Sequence, residues 1–366
     1  MMDLSNISIV LPSLDPDEKL IAVIDGLLEC GFTDIILVND GSKPENLHYF
    51  ETAAQNPQVH LLRHPANRGK GAALKTAFRW FLENRPNATG VVTVDGDNQH
   101  HPEDTRSCAL RMIETGDIIL GVRDFNQPHV PLRSRVGNKI TSWVFKFFVG
   151  MSISDTQTGL RAIPRQALEI LSHIHGDRFE YETNMLLAIK EHALSYGERK
   201  IRTVYIEENK SSHFRAVRDS CRIYKLILAH FFKYTASSLG CALVDEGVYT
   251  LLTLLLHKAL SGVILTATAV LGARMVSSLL NFHLNRKLVF HSSGNVWTAL
   301  GKYYALAVPI ALLQTLATEG VYRLLQVSDD LVLLRSAYHI LVMIVLYLVS
   351  FLVQQRWVFT SRKNSQ

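Results

Sequence analysis

The chain has 366 residues, enough for two domains and a sizeable core, and a formal net charge of +5. Hydrophobic residues make up 48% and charged residues only 19%, and the mean hydropathy of +0.11 is high for a purely soluble protein. The basic residues gather beside apolar segments and so read as membrane-topology signals, with no nucleic-acid partner; Cys30, Cys108, Cys221 and Cys241 lie far apart without a CxxC and indicate neither a disulfide framework nor a zinc site.

The chain opens directly on a strand pattern without a signal peptide, so the first domain is expected in the cytosol. Ile7–Leu11 predicts a strand that stops at Pro12. From Asp17 to Cys30 the spacing is helical, with Leu20, Ile21, Ile24 and Leu27 on one face. Asp34–Val38 and Val59–Leu62 read as further strands, Gly69–Leu82 as a helix, Val91–Val94 as a short buried strand, and Asp117–Leu120 as the strand after it. Strands alternating with helices imply an α/β domain whose sheet is mostly parallel and covered on both faces.

The strand Val91–Val94 runs into Asp95-Gly96-Asp97-Asn98-Gln99-His100-His101. Two carboxylates one residue apart at a strand's C-terminal edge, with a glycine to turn the chain, can both face a divalent cation. Mg²⁺ and Mn²⁺ take oxygen ligands and share them with substrate phosphates. Open α/β sheets bind their ligands at that edge. The plain alternative is an acidic turn, since D-x-D is common. Asp40, just past the second strand, can hydrogen-bond a nucleoside or build an Asp-Gly turn. Asn67-Arg68-Gly69-Lys70-Gly71 opens a helix with two glycines and two cations, which suits a phosphate, though it is no Walker A loop. His100 and His101 would point to opposite faces of an extended chain and read as wall or structural residues. Pro102 beside Glu103 and Asp104 reads as a helix start.

Taken together and in this order, Val38-Asn39-Asp40-Gly41-Ser42, Asn67-Arg68-Gly69-Lys70-Gly71-Ala72-Ala73 and Asp95-Gly96-Asp97-Asn98-Gln99-His100 resemble the family 2 glycosyltransferases of GT-A fold. The likeness is greatest to the dolichol-phosphate mannose synthase and bactoprenol glucosyltransferase branch. Gly121-Val122-Arg123, the stretch from Asp155 to Ala162 and Arg178-Phe179-Glu180-Tyr181-Glu182 extend it, over about Ile7–His213. The resemblance implies nucleotide-sugar binding by Pro12, Asp15, Asp40, Lys70, Asp95 and Gly96, with Asp40 on the base or ribose. It implies a Mg²⁺ or Mn²⁺ ion held by Asp95, Asp97 and Gln99. Arg123 and Arg161 would face phosphates at the catalytic centre, and Arg123, Arg161, Glu180, Glu182, Lys210 and Ser212 would line the acceptor site. Asp155 matches a position sometimes read as a base; an orienting role or a turn cap fits it as well. A structural ion pair with Glu180 or Glu182 is the alternative for Arg161. One departure is Pro12-Ser13-Leu14-Asp15-Pro16, where the family usually has Pro-x-x-Asn-Glu.

Phe214–Tyr234 is basic and amphipathic: Arg215, Arg218, Arg222 and Lys225 lead into Leu226, Ile227, Leu228, Phe231 and Phe232. That suits a helix in the headgroup layer of a cytosolic leaflet. Four apolar blocks follow, about Ala236–Leu256, Val263–Leu284, Leu300–Leu325 and Leu331–Val353, each long enough to cross roughly 30 Å as a helix. Arg286, Lys287, Lys302, Arg356, Arg362 and Lys363 fall on the side of Lys225 and Lys233, while His257, Lys258, Asp329 and Asp330 fall opposite. The positive-inside rule then places the catalytic domain and both termini in the cytoplasm, on a multi-pass plasma-membrane protein.

Asn281–Phe290 parallels Ser350–Phe359, which makes the block two helix hairpins of one repeated unit. With Asp245 in its first span it resembles the GtrA-like four-helix family, over about Lys233–Phe359; that family is associated with moving polyprenyl-phosphate-linked sugars across membranes. Gln355-Arg356-Trp357 is not the QxxRW of processive synthases, because Val353 stands where the first Gln would be. Asp245, Glu246, Arg274 and Glu319 lie inside apolar spans, where ionisable groups are costly and face a bundle interior or polar cavity. They read either as a headgroup path or as a structural Arg274–carboxylate pair.

The domain plan is therefore 1–213 GT-A, 214–233 juxtamembrane helix and 234–366 four-span block. The expected activity is metal-dependent inverting transfer of one sugar from a UDP- or GDP-sugar to a polyprenyl phosphate at the cytosolic face. Coupled translocation and a homo-oligomer are compatible with it. A lipid-linked sugar translocator whose GT-A half only recognises the headgroup, and a transferase acting on a glycan or protein, are the alternatives.

Overall fold

The structure is a computed structural model and describes residues 4–128, 130–203, 216–260, 262–290, 292, 294–326 and 332–359. Two compact units divide the chain, Met1–Leu226 and Ile227–Gln366.

In the first unit the order is β1 (Ile7–Ser13), α1 (Lys19–Glu29), β2 (Ile35–Asn39), α2 (Leu47–Ala53), β3 (Val59–Arg63), α3 (Lys70–Asn84) and β4 (Gly90–Thr93). Then come α4 (Pro102–Thr115), β5 (Ile118–Arg123), α5 (Leu132–Val144), β6 (Arg161–Pro164), α6 (Arg165–Leu171), α7 (Glu180–Glu191) and β7 (Tyr196–Ile201). They form one seven-stranded sheet in the order β3-β2-β1-β4-β6-β5-β7. Pro102, read from the sequence as a helix start, heads α4, and Gly116 in the left-handed conformation ends it.

All neighbouring strands are parallel except β6, which runs antiparallel to both β4 and β5. Its start, Arg161, pairs with Thr93 and Leu120, and its end, Pro164, pairs with Gly90. The chain that leaves β5 therefore re-enters the sheet from the same edge, without a crossover, and an antiparallel strand is the result. This strand has no sequence signal of its own: Arg161-Ala162-Ile163-Pro164 lacks the run of apolar and β-branched residues that marks β4. One face of the sheet buries Ile7, Ile9 and Leu11 against Leu20, Ile24 and Leu27 of α1 and Cys108, Ala109 and Met112 of α4. Such side chains stabilise the fold by roughly 1.5–3 kcal/mol each. Burial pushes the Cys108 thiol up to about 12, so it is inert packing.

Ser13, Asn39, Thr93 and Arg123 are the last residues of β1, β2, β4 and β5. The loops that follow them share one edge of the sheet, and β6 begins there. On α5, Asn138 and Thr141 are buried, and Asn138 Nδ2 donates to the Ser154 carbonyl at 2.7 Å. Its opposite stripe is apolar yet open, with Leu132 72% and Trp143 60% exposed and Val136 and Ile140 between them.

The second unit holds helices long and apolar enough to cross a membrane, Phe231–Leu256, Ile264–Val289, Val296–Leu324 and Ala337–Val358. They lie within α8 (Ala216–Leu256), α9 (Gly262–Leu284), α10 (Val296–Leu324) and α11 (Val332–Val353), with a turn of π-helix continuing α9 over Asn285–Val289 and α11 over Gln354–Val358. The expected juxtamembrane segment and first span are one continuous helix, α8, in the structure.

The repeat is structural as well as sequential. Asn285 Nδ2 donates to Asn281 Oδ1 one turn back, as Gln354 Nε2 donates to Ser350 Oγ. The two amides also meet, Asn285 Nδ2 donating to Gln354 Oε1 at 3.1 Å. Tyr234 packs on Phe351 and Tyr303 on Phe282, at 5.1 and 5.5 Å between centroids, and Phe290 stacks on Phe359. Lys233-Tyr234 and Lys302-Tyr303 thus extend the correspondence to the first helix of each hairpin. Hydrogen-bonded amides join helices where no water competes.

Candidate active site

Asp95 stands two residues beyond β4, and a glycine makes room for it. Thr93 Oγ1 donates to the Gly159 carbonyl at 2.7 Å, pinning that residue beside the strand end. A Cβ on Gly159 would overlap the Asp95 carboxylate. Lys70, first residue of α3, lies with its Nζ 2.7 Å from Asp95 Oδ1 and 2.9 Å from Glu182 Oε1. His100 Nε2 lies 3.5 Å from Asp95 Oδ2. Burial disfavours the charged form of Asp95, but the Lys70 ammonium and then His100 more than offset it, and the carboxyl is held far below its usual range. Burial likewise opposes the Lys70 charge, and Asp95 and Glu182 reverse that, holding the ammonium protonated.

Asp97 behaves oppositely. Burial first, and then the Asp95 charge, push its carboxyl up, against a hydrogen bond from the Gln99 N–H at 3.1 Å. Two carboxylates that repel one another at a strand edge are suited to a divalent cation. Among the described residues no three His, Cys, Asp or Glu groups converge as a complete ligand set. Asp95 and Asp97 therefore fit an ion that takes its remaining oxygens from water and a phosphate, as Mg²⁺ does. Gly96 between them lies over Leu11 and Leu20 at ordinary contact distance.

Two N–H groups of the glycine-rich opening of α3, read from its sequence as suited to a phosphate, are engaged within the protein. Asp40 is 3% exposed; its Oδ1 accepts from Arg68 N at 3.0 Å and its Oδ2 from Gly69 N at 2.7 Å. The loop's N–H groups thus hold a carboxylate of the protein itself. His64 Nδ1 lies 2.7 Å from the same Asp40 Oδ1. Gly69 has φ +102°, and a Cβ there would strike the Asp177 carbonyl; one on Gly71 would strike Tyr181. The Ala72 N–H donates to that Asp177 carbonyl at 3.0 Å. Both glycines let α3 approach the segment leading into α7, which brings Lys70 to Glu182. Asp40, read as a nucleoside contact, faces this turn. Asp15 has φ +49°, donates from its N–H to Ser42 Oγ at 2.8 Å and accepts from Lys43 N at 2.7 Å, tying the loop after β1 to the loop after β2. Pro12 lies within β1 opposite Val38.

Arg123, at the end of β5, makes a two-point pair with Asp155: Nε to Oδ2 at 2.7 Å and an Nη to Oδ1 at 3.2 Å. Its guanidinium also lies 5.1 Å from the Phe125 ring centre. Asp155 is fully buried and accepts from the Gln157 N–H at 3.1 Å as well. Both of its oxygens are thus engaged within the protein, by the arginine and by the turn. Arg161, read as a phosphate contact, is 2% exposed. Its Nε donates to the Thr158 carbonyl at 3.1 Å and its Nη1 to the Glu182 carbonyl at 2.8 Å. It joins β6 to α7 through the backbone of Glu182, neither as a free cation nor as the carboxylate pair expected as the alternative. Burial draws its pKa down, with Glu182 and Asp155 opposing. Glu180 Oε1 accepts from Arg178 N at 3.3 Å, closing the helix start, and Glu182 reaches Lys70. Lys210 and Ser212 lie outside the described residues.

The structure thus brings together Lys70, Asp95, Asp97 and Glu182, with Arg123 on Asp155 at the same sheet edge. His64 and Gly159 were not legible as site residues. Neither has a neighbour in sequence that signals its contact, and only the register of β4 against β6 and the packing of α3 place them. In the second unit, Ser277 Oγ donates to Asp245 Oδ1 at 2.6 Å, and Arg274 Nε lies 3.7 Å from Asp245 Oδ2 with its side chain 74% exposed. Glu246 and Glu319 are exposed on their helices.

Residues 8–171 match the model of glycosyl transferase family 2, and residues 233–359 match that of the GtrA/DPMS transmembrane domain. Protein MJ1222 of Methanocaldococcus jannaschii is 29% identical over 231 residues, 62% of this chain and 93% of that one. The UDP-N-acetylglucosamine–dolichyl-phosphate N-acetylglucosaminyltransferase of Methanococcus voltae is 28% identical over 219 residues, 55% of this chain and 86% of that one. The undecaprenyl-phosphate 4-deoxy-4-formamido-L-arabinose transferase of Yersinia pestis is 28% identical over 180 residues, 47% of this chain and 53% of that one. The match thus spans about half of that last relative's length.

Proposed function

We propose that this chain, which carries a family 2 glycosyl transferase domain followed by a GtrA/DPMS transmembrane domain, transfers one sugar from a nucleotide-sugar to a polyprenyl phosphate at the cytosolic membrane face. The observation that carries the reading is the pair Asp95 and Asp97 at the sheet edge, with Lys70 2.7 Å from Asp95. The acceptor class comes from the dolichyl-phosphate and undecaprenyl-phosphate transferases among the relatives. Two of the chain's features fit a lipid acceptor: the helices able to cross a membrane, and the open apolar stripe of α5.

A Mg²⁺ or Mn²⁺ ion on Asp95, Asp97 and Gln99 would offset the charge that grows on a departing nucleoside diphosphate. Lys70 adds a fixed positive charge beside it. Arg123, aimed by Asp155, supplies the cation for an incoming phosphate. A phosphate oxygen is already ionised at pH 7, so the step needs orientation and charge neutralisation and no general base. The engagement of Asp155 with Arg123 agrees with that. Attack on the face opposite the leaving group inverts the anomeric centre.

Lys225, Lys233, Arg286, Lys287, Lys302 and Arg356 fall on one side of the spans, which by the positive-inside rule is the cytoplasmic side. A second role, assisted translocation of the product, draws on the exposed Arg274 beside Asp245 within the spans. The test of the main reading is a donor screen with purified protein, Mg²⁺ or Mn²⁺ and undecaprenyl phosphate, trying UDP- and GDP-sugars in turn. A metal-dependent glycolipid from one donor is expected. Nucleotide release without glycolipid would move the acceptor to a glycan or protein, and no turnover with any donor would favour a translocator that only recognises the headgroup.

A further inference from the structure

His64 is buried, and neither the metal carboxylates nor the arginines use it, yet both of its ring nitrogens are engaged. Nδ1 lies 2.7 Å from Asp40 Oδ1 and Nε2 lies 3.0 Å from Thr76 Oγ1. Because the first partner is a carboxylate, Nδ1 carries the proton in the neutral ring, and Nε2 accepts from the threonine hydroxyl. Thr76 is on α3, the helix that begins with Lys70. Asp40 in turn receives the N–H groups of Arg68 and Gly69, the two residues just before that helix. The His64 N–H donates to the Asn39 carbonyl at 2.9 Å, and a Cβ on Gly41 would overlap the backbone of Ala66 and Asn67, so the two loops are closed upon each other.

One imidazole therefore grips α3 twice, directly at Thr76 and through Asp40 at the turn that launches the helix. Lys70 is the next residue after that turn, and its ammonium meets Asp95 and Glu182. We propose that His64 is a positioning residue for Lys70: it orients the Asp40 carboxylate, which fixes the Arg68–Gly69 turn and so delivers the Lys70 ammonium to Asp95. The consequence for turnover rests on the transferase reading; the consequence for the turn does not.

Two near-isosteric variants separate the contacts. In His64→Asn the side-chain amide can stand in for Nδ1 and keep the bond to Asp40. In His64→Gln the amide reaches toward the Nε2 position and Thr76, and the bond to Asp40 is lost. With full-length protein in detergent and undecaprenyl phosphate as acceptor, His64→Gln should lower kcat by on the order of tenfold or more with little change in donor KM, since misplacement of a charge is felt in the transition state. His64→Asn should stay near the wild-type kcat. In a Lys70→Ala background the His64→Gln change should cost nothing further. Amide exchange at Arg68 and Gly69 should quicken in His64→Gln and not in His64→Asn. Equal loss in the two variants, an undiminished loss without Lys70, or unchanged exchange at Gly69 would each overturn the proposal. Should the wild-type protein transfer no sugar at all, the proposed function fails, while the exchange measurement still decides the role of His64.

Discussion

The Lys70 ammonium lies 2.7 Å from Asp95 Oδ1, on the carboxylate that a divalent cation would also use. The site holds its positive charge on a side chain that Glu182 shares at 2.9 Å. Removing one charge from this set should therefore be felt by the others. Asp97→Asn should lower kcat by on the order of 10²–10³, the range found when one preorganised electrostatic group is lost. Thermal melting of the metal-free protein is expected to hold or rise, because the substitution removes a carboxylate that Asp95 repels. Wild-type turnover by the variant would remove the metal reading.

The raised Asp97 pKa fixes the sign of a pH effect. The folded protein without metal holds this proton to higher pH than the unfolded chain does. The group's contribution to stability is thus present at low pH and is lost as pH rises through its raised pKa. A bound cation must displace the same proton. Mn²⁺ affinity should then climb with pH through the carboxylate range and level off once Asp97 is ionised, with proton release detectable by calorimetry in buffers of different ionisation enthalpy. Affinity that is flat across this range would show that Asp97 gives up no proton.

Gly159 offers a test that changes no charge. A Cβ at this position would overlap the Asp95 carboxylate, and Thr93 Oγ1 holds the residue in place through its carbonyl. Gly159→Ala must push Asp95 aside, at a cost of about 1–3 kcal/mol if the surroundings do not yield. The expected result is weaker Mn²⁺ binding with a smaller loss in melting temperature. Unchanged Mn²⁺ binding would separate Asp95 from the metal.

Much of this arrangement is written locally, and some of it is not. Apolar runs and helical spacing mark β1, α1, β2, β3, α3 and β4 to within two residues, and Pro102 marks the start of α4, although β1 runs through Pro12, where the sequence reading ended it, to Ser13. The short antiparallel β6 has no such run, and its place is set by the return of the chain to the edge where β5 ends. The D-x-D acids are legible as a pair at a strand's C-terminal edge, and the ordered motifs around them, not the pair alone, set them apart from an acidic turn. Asp40 and Arg161 are legible as important but not as to their task. A carboxylate can hold a turn as well as a nucleoside, and an arginine can serve backbone carbonyls as well as phosphates. Only burial decides between such readings. In the apolar half, length and hydropathy announce the spans, and the repeat predicts which side chains correspond, but not that Asn285 and Gln354 would meet.

Asp155 and Arg123 allow orientation to be told from base catalysis. The pair is joined at 2.7 and 3.2 Å, with Asp155 fully buried. Asp155→Asn keeps the shape and leaves Arg123 without its counter-charge. The rate should fall by roughly 10–100-fold through misplacement of the guanidinium, while the pH–rate profile keeps its form. A general base would instead take its pKa out of that profile when removed.

The contact between Asn285 and Gln354 should be structural, and its removal has a defined sign. Asn285→Leu leaves Gln354 Oε1 without the donor it has at 3.1 Å and leaves Asn281 without its partner one turn along. Interhelical hydrogen bonds in membrane proteins contribute on the order of 0.6 kcal/mol, and about 2 at most. The single variant should therefore unfold at lower denaturant in mild detergent. The double variant, Asn285→Leu with Gln354→Leu, also removes the bonds from Gln354 Nε2 to Tyr234 and Ser350, but no amide is left without its amide partner, so its loss should be smaller than the sum of the two single losses. Sugar transfer should be nearly unchanged in either, since both residues belong to the apolar unit and bond within it, to Asn281, Tyr234 and Ser350. A double variant whose loss relative to the wild type equals the sum of the losses in Asn285→Leu and Gln354→Leu alone would show that the two amides do not act on each other.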